Sequence, residues 1–191
     1  MDCRVAAIFR DLQHLARRTN KATSGQEVMQ ESELHAGLWT AQYRLFQLAG
    51  GLDDIVGECL RVAMLTFLTT TFQVLGSRIR YEHVSNRFRV LCRAIEASTQ
   101  QLQELMLMVG TMVLFDHHEP WLCEIWRSLV LPLTRGQEWV DVQGRLQSFI
   151  WINASNESIG KQTFEKMRRN LGQTPQHLEP QGAPKTPVDL L

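Results

Sequence analysis

The chain has 191 residues, 44% of them hydrophobic, and its 20 lysines and arginines balance its 20 aspartates and glutamates. That length and apolar share suit one compact domain with a substantial core. Zero formal charge leaves no overall field to draw the chain to DNA, RNA or an acidic membrane. The opening "MDCRVAAIFRDLQHLARR" interrupts its apolar positions with acids and bases, so it lacks the continuous h-region of a secretory signal. Cys3, Cys59, Cys92 and Cys123 never form Cys-x-x-Cys and have apolar neighbours, which predicts buried, reduced thiols. An intracellular location follows, and the sequons at Asn153 and Asn156 read as chance occurrences.

Taken in chain order, the apolar periodicity predicts about eight helices: 2–19, 30–48, 53–75, 82–97, 100–115, 119–131, 138–152 and 156–169. The first places Val5, Ile8, Phe9, Leu12 and Leu15 on one face, and the second places Leu34, Leu38, Ala41, Leu45 and Leu48 likewise. "NKATSGQ" (20–26) reads as a loop, and "GGLDD" (50–54) as a glycine stop followed by an aspartate cap. Residues 55–75 are apolar on nearly every side and are expected at the centre of the bundle. In 82–97 the stripe is Val84, Phe88, Leu91, Cys92 and Ile95, with Arg87, Arg89 and Arg93 outside it. The apolar stretches 60–75 and 105–115 are too polar or too short for a span, which needs ~20 apolar residues. No stretch alternates as a half-exposed strand does. A domain over 1–170 and a disordered Pro-rich tail over 171–191 are therefore expected, the tail holding four of the six prolines.

"LFDHHEPWLCEIW" (114–126) has the densest set of potential ligands. A zinc site needs three or four donors converging at ~2.0–2.3 Å. The adjacent His117 and His118 diverge in any regular conformation, and Cys123 lies beyond the three or four residues that share a helical face. Cys123 also sits among apolar neighbours, an unsuitable setting for a thiolate nucleophile. The stretch reads instead as a corner between helices. Pro120 suits a first helical turn, Asp116 and Glu119 put negative charge near the free N–H groups, and Trp121 begins the buried side. No catalytic residue, metal site or cofactor is expected.

Over residues 38–167 the sequence resembles the helical domain of fungus-specific transcription-factor-like proteins, the C-terminal part of many zinc-cluster regulators. The segments that carry the likeness are "LWTAQYRLFQL", "CLRVAMLTFLTTTFQVLGSRIRYEHVSNRFRVLCRAI", "LMLMVGTMVLFDHHEPWLCEIWRSLV", "EWVDVQGRLQSFIWIN" and "FEKM". The resemblance implies an all-α fold, a nuclear location and a role around transcription, with no catalytic residues to transfer. Those regulators read DNA through a separate Cys-x-x-Cys-x-x-x-x-x-x-Cys module, and nothing of that spacing occurs here. Glu138 stands where the family often has serine, and Gly144 lies in mid-helix.

Three functional expectations follow. The first is a non-enzymatic regulatory domain acting through protein contacts. If the chain is an N-terminally truncated form of a longer regulator, its first helix should leave an apolar face open and promote self-association. The second is nucleic-acid binding through a basic face of Arg78, Arg80, Arg87, Arg89 and Arg93, although without a zinc-cluster module direct DNA binding is not expected. The third is a small-molecule-sensing bundle, with Met106, Met108 and Met112 as a wall.

Overall fold

A computed structural model of the chain describes residues 2–71, 86, 87, 89–91, 124 and 130–172. All regular structure among them is helical, with no strand. Six helices are described: α1 (Cys3–Thr23), α2 (Glu31–Gln47), α3 (Ile55–Thr71), the single turn α4 (Leu131–Leu133), α5 (Trp139–Phe149) and α6 (Asn153–Gly172). Among the described residues the all-α expectation holds, and these six helices are the ones seen of about eight expected over the whole chain. Most of the expected helices 82–97, 100–115 and 119–131 lies outside the described residues, as does the tail from 173 onward.

Asp2 starts α1, its carboxylate accepting a 2.8 Å hydrogen bond from the Arg4 backbone N–H. One side of α1 then buries Val5, Ile8, Leu12 and Ala16, with Phe9 and Leu15 half-buried against the same core. This helix was expected to stop near residue 19 but runs four residues further. The stop is Gly25, whose φ of 74° is the left-handed geometry that terminates helices. The N–H of Gly25 donates to the Ala22 carbonyl at 3.0 Å, and that of Gln26 to Lys21 at 2.9 Å.

Helix α2 lays Leu38, Ala41 and Leu45 on the core, followed by Leu48 beyond its end. Gly50, at φ 74°, turns the chain toward α3. The cap of α3 is Asp54: its Oδ1 accepts from the Gly57 N–H at 2.6 Å, and its Oδ2 accepts from the Asp2 N–H at 3.0 Å. One carboxylate thus ties the start of α1 to the start of α3.

Every residue from Gly57 to Leu68 is buried, which bears out α3 as the middle of the bundle. Helices α1, α2 and α6 pack against it. The core continues through Val142 and Leu146 of α5 and Phe164 and Met167 of α6.

Two expected boundaries near the C-terminal end move. Helix α5 stops at Phe149 rather than 152, and α6 starts at Asn153 rather than 156. Ile150, Trp151 and Ile152 are all at most 2% exposed. Three consecutive inward side chains cannot lie on one helical stripe, so the chain leaves the helix, with Ile150 extended at φ −143°, ψ 108°. Asn20 secures this break. Its Nδ2 donates to the Trp151 carbonyl at 2.7 Å and its Oδ1 accepts from the Asn153 N–H at 2.8 Å. The side chain that looked like a loop residue of "NKATSGQ" is a clamp between α1 and α6.

Candidate interaction surface

The face of α2 turned away from the core is the most unusual surface among the described residues. Trp39 is 60% exposed, Tyr43 65% and Phe46 56%. Their spacing of four and three residues puts them in one row along the helix. Around that row lie Ser32, His35, Ala36, Gln42 and Gln47, so the row itself carries no lysine, arginine, aspartate or glutamate; Glu31 borders it, 3.9 Å from His35. The acidic and basic residues of α2 sit toward its flanks. Arg44 pairs with Asp11 of α1 at 2.6 Å, and Arg18 of α1 binds Glu33 as well as Glu27. Three aromatic rings, each offering somewhat more than half of ~150–250 Å², form an apolar patch of roughly 400 Å². That is the size of the largest apolar patch on a typical soluble monomer, which often serves in binding.

Helix α1, by contrast, leaves no such face. Its outward residues include Arg4, Arg10, Asp11, His14 and Arg17, and its apolar side is closed by the rest of the bundle. The open apolar face expected on the first helix lies on the second. A signal for it existed in the sequence: Trp39, Tyr43 and Phe46 repeat at helical spacing opposite the leucines. The leucine stripe on the opposite side accounts for the helix by itself, so its periodicity does not single out this second row.

Below α2 is a buried ion pair. The guanidinium of Arg61 donates from Nε to Glu58 Oε2 at 2.6 Å and from Nη2 to Oε1 at 2.9 Å, and Nη1 reaches the Leu45 carbonyl at 3.2 Å. Both side chains are about 10% exposed or less. Arg87 adds a bond to Glu58 Oε1 at 3.2 Å. The Arg61 hydrogen bonds hold the Glu58 carboxyl below its ordinary range, against the opposing effect of burial. The neighbouring Cys59 thiol is pushed up to about 12 by burial, so it is no nucleophile at neutral pH. Cys3 departs from expectation, since it is exposed at the start of α1.

Of the predicted basic face, Arg87 is engaged by Glu58 and Arg89 is half-buried; Arg78, Arg80 and Arg93 lie outside the described residues. So do Asp116, Glu119, Pro120 and Trp121 of the predicted corner, together with His117, His118 and Cys123, and Met106, Met108 and Met112 of the predicted wall. Among the described residues no group of three histidines, cysteines or acids could hold a metal, and no helix is long and apolar enough to cross a membrane. Both sequon asparagines have structural roles or settings. Asn153 Oδ1 accepts from Gln147 Nε2 at 3.0 Å, and Asn156 is 1% exposed.

A second notable cluster lies where α5 and the break after it meet α6. Trp139 and Trp151 meet edge to face with centroids 6.2 Å apart, and Trp139 also contacts the Phe164 ring at 5.9 Å. Gly160 lets both indoles approach α6, because a Cβ there would lie 2.7 Å from Trp151 and 3.0 Å from Trp139. The indole N–H groups of Trp139 and Trp151 and both amide atoms of Asn156 are buried without a hydrogen-bond partner. Leaving such groups unpaired costs ~1–3 kcal/mol each, in contrast to the buried Glu58–Arg61 pair, whose polar atoms are bonded. No family model, curated protein or solved structure matches the chain.

Proposed function

We propose that the chain is a non-enzymatic, transcription-regulator-like helical domain that works in the nucleus through protein–protein contact. The observation that carries the contact is the aromatic, charge-free face of α2. Exposing three large rings costs solubility, and such a row is the usual form of a helix that docks on a partner. The transcriptional context rests on the sequence resemblance described above. Fusing the chain to a heterologous DNA-binding module next to a reporter gene tests both parts. Reporter output should change with the native chain and return to baseline with the Tyr43→Glu, Phe46→Glu double variant, whose circular dichroism should match the parent. Equal output from the two fusions rejects the α2 face, and no output from either rejects the regulatory reading.

A second reading, small-molecule sensing, is favoured by the unpaired indole and amide groups around Asn156. Two N–H donors and a carboxamide suit a small ligand bearing a carbonyl or hydroxyl on an apolar body. Native mass spectrometry of the purified chain should then show a bound adduct that Asn156→Leu removes. Nucleic-acid binding is the weakest reading, because Arg87 is already committed to Glu58. A filter-binding titration at low salt should show no retention of duplex DNA or RNA.

A further inference from the structure

We propose that the aromatic face of α2 is a self-association surface, on which a second copy of this chain packs its own α2 antiparallel about a two-fold axis near Tyr43. The inference rests on the reading of this face as the contact surface and names the partner.

Three properties favour a second copy. First, a two-fold interface is built from the same face of both copies, so any formal charge on the face is repeated across the seam. The outward row of Ser32, Ala36, Trp39, Tyr43, Phe46 and Gln47 holds no formally charged side chain, the nearest being Glu31, whose carboxylate lies 3.9 Å from His35 at the N-terminal edge, so nothing at its centre repels its own image. A nucleic acid or a charged peptide would find no cation or anion there to recognise. Second, the whole chain has zero formal charge, so two copies approach without long-range repulsion. Third, the spacing is nearly self-complementary. Trp39 lies four residues before Tyr43 and Phe46 three after it, heights of about 6 Å and 4.5 Å along the axis. An antiparallel pair centred on Tyr43 therefore sets Trp39 beside the partner copy's Phe46 with a mismatch of only ~1.5 Å. Aromatic rings brought opposite one another in this way can pair edge to face or offset, which adds attraction beyond their burial.

The area places the contact among small interfaces. Two faces of roughly 400 Å² bury about 800 Å² from the rings alone, and flanking Ser32, Ala36 and the glutamines raise this toward ~1,000 Å², the low end of specific interfaces. The contact is therefore a reversible dimer, with a dissociation constant on the order of micromolar to tens of micromolar.

Sedimentation velocity of the full-length chain across the micromolar range tests the proposal. The native chain should pass from monomer to dimer, with little change between low and high salt because no ion pair crosses the seam. Tyr43→Glu should raise the dissociation constant at least ~10-fold, and Val140→Glu, an exposed site on α5, should leave it unchanged. A Tyr43→Cys variant in a Cys3→Ser background should form a disulfide-linked dimer on mild oxidation. A native chain that stays monomeric throughout, or a dimer indifferent to Tyr43→Glu, overturns the proposal. So does a monomer whose melting temperature Tyr43→Glu lowers sharply, since the chain's own residues would then cover the face. The reporter assay separates the two readings. If the chain is monomeric and the double variant still silences the reporter, the partner is another protein and only self-association falls.

Discussion

Helices α2 and α3 are the same length, 17 residues, and both carry large apolar side chains around much of their circumference. Their environments could hardly differ more. Helix α3 is covered on all sides from Gly57 to Leu68, and even its charged residues, Glu58 and Arg61, are buried as a pair. Helix α2 is covered on one side, and its aromatic residues face solvent. Apolar content all round a helix therefore has two structural outcomes. One is a central position in a bundle; the other is a second apolar face left exposed.

The sharpest test of this contrast uses one residue type on each helix. Phe67 of α3 is 0% exposed and Phe46 of α2 is 56% exposed. Phe67→Ala should cost about 3–5 kcal/mol, the transfer and cavity penalty of a buried ring, measured by urea unfolding. If that loss is below ~1 kcal/mol, α3 is not the centre of the core.

Next in size is Glu58→Gln. Removing one member of a buried pair strands the other, at about 2–4 kcal/mol near neutral pH, the lower part of this range reflecting the half-exposed Arg87 beside it. The folded-state carboxyl titrates below its ordinary 4.5, so the stability it supplies is whole above that value. It is lost as pH falls through the depressed folded value. The gap between native and variant should accordingly narrow in acid, and a gap that widens there contradicts the assigned pair.

A smaller effect is expected at the start of α3. Alanine is normally the better helix former, yet a Cβ at Gly57 would lie 2.6 Å from Asp54 Oδ2. Gly57→Ala should thus lower stability by about 1 kcal/mol, despite a propensity gain of ~1 kcal/mol. At Gly37 on α2 the nearest obstacle is the tip of Leu15, 2.9 Å away, which can move. Gly37→Ala should be closer to neutral, and thermal melts of the two variants compare them directly. Smallest of all, Phe46→Ala should change monomer stability by less than ~0.5 kcal/mol while weakening any contact the face makes.

Much of this architecture was readable in advance because burial in a helical bundle follows a period. Val5, Ile8 and Leu12 on α1 and Leu38, Ala41 and Leu45 on α2 are buried where that period places them. Asp54 caps α3, as the "GGLDD" pattern suggested. Boundaries were less legible. Asn20 looked like the beginning of a loop because asparagine favours turns, yet its side chain serves a distant break at Ile150–Ile152. The end of α5 was overrun because a run of apolar residues does not announce that all of them point inward. The candidate site was legible only in part: its aromatic spacing was on view, but exposure is a property of what packs nearby.

By itself the sequence determined the helical class, the inward stripes of α1 and α2 and the central place of α3, since these depend on local periodicity and on the free energy of removing apolar surface from water. Only the tertiary structure decided that the aromatic row of α2 stays exposed, that Asn20 bridges α1 to α6, and that Arg87 is bound to Glu58. Those outcomes depend on which side chains meet across long separations in the chain, and no local pattern contains that information.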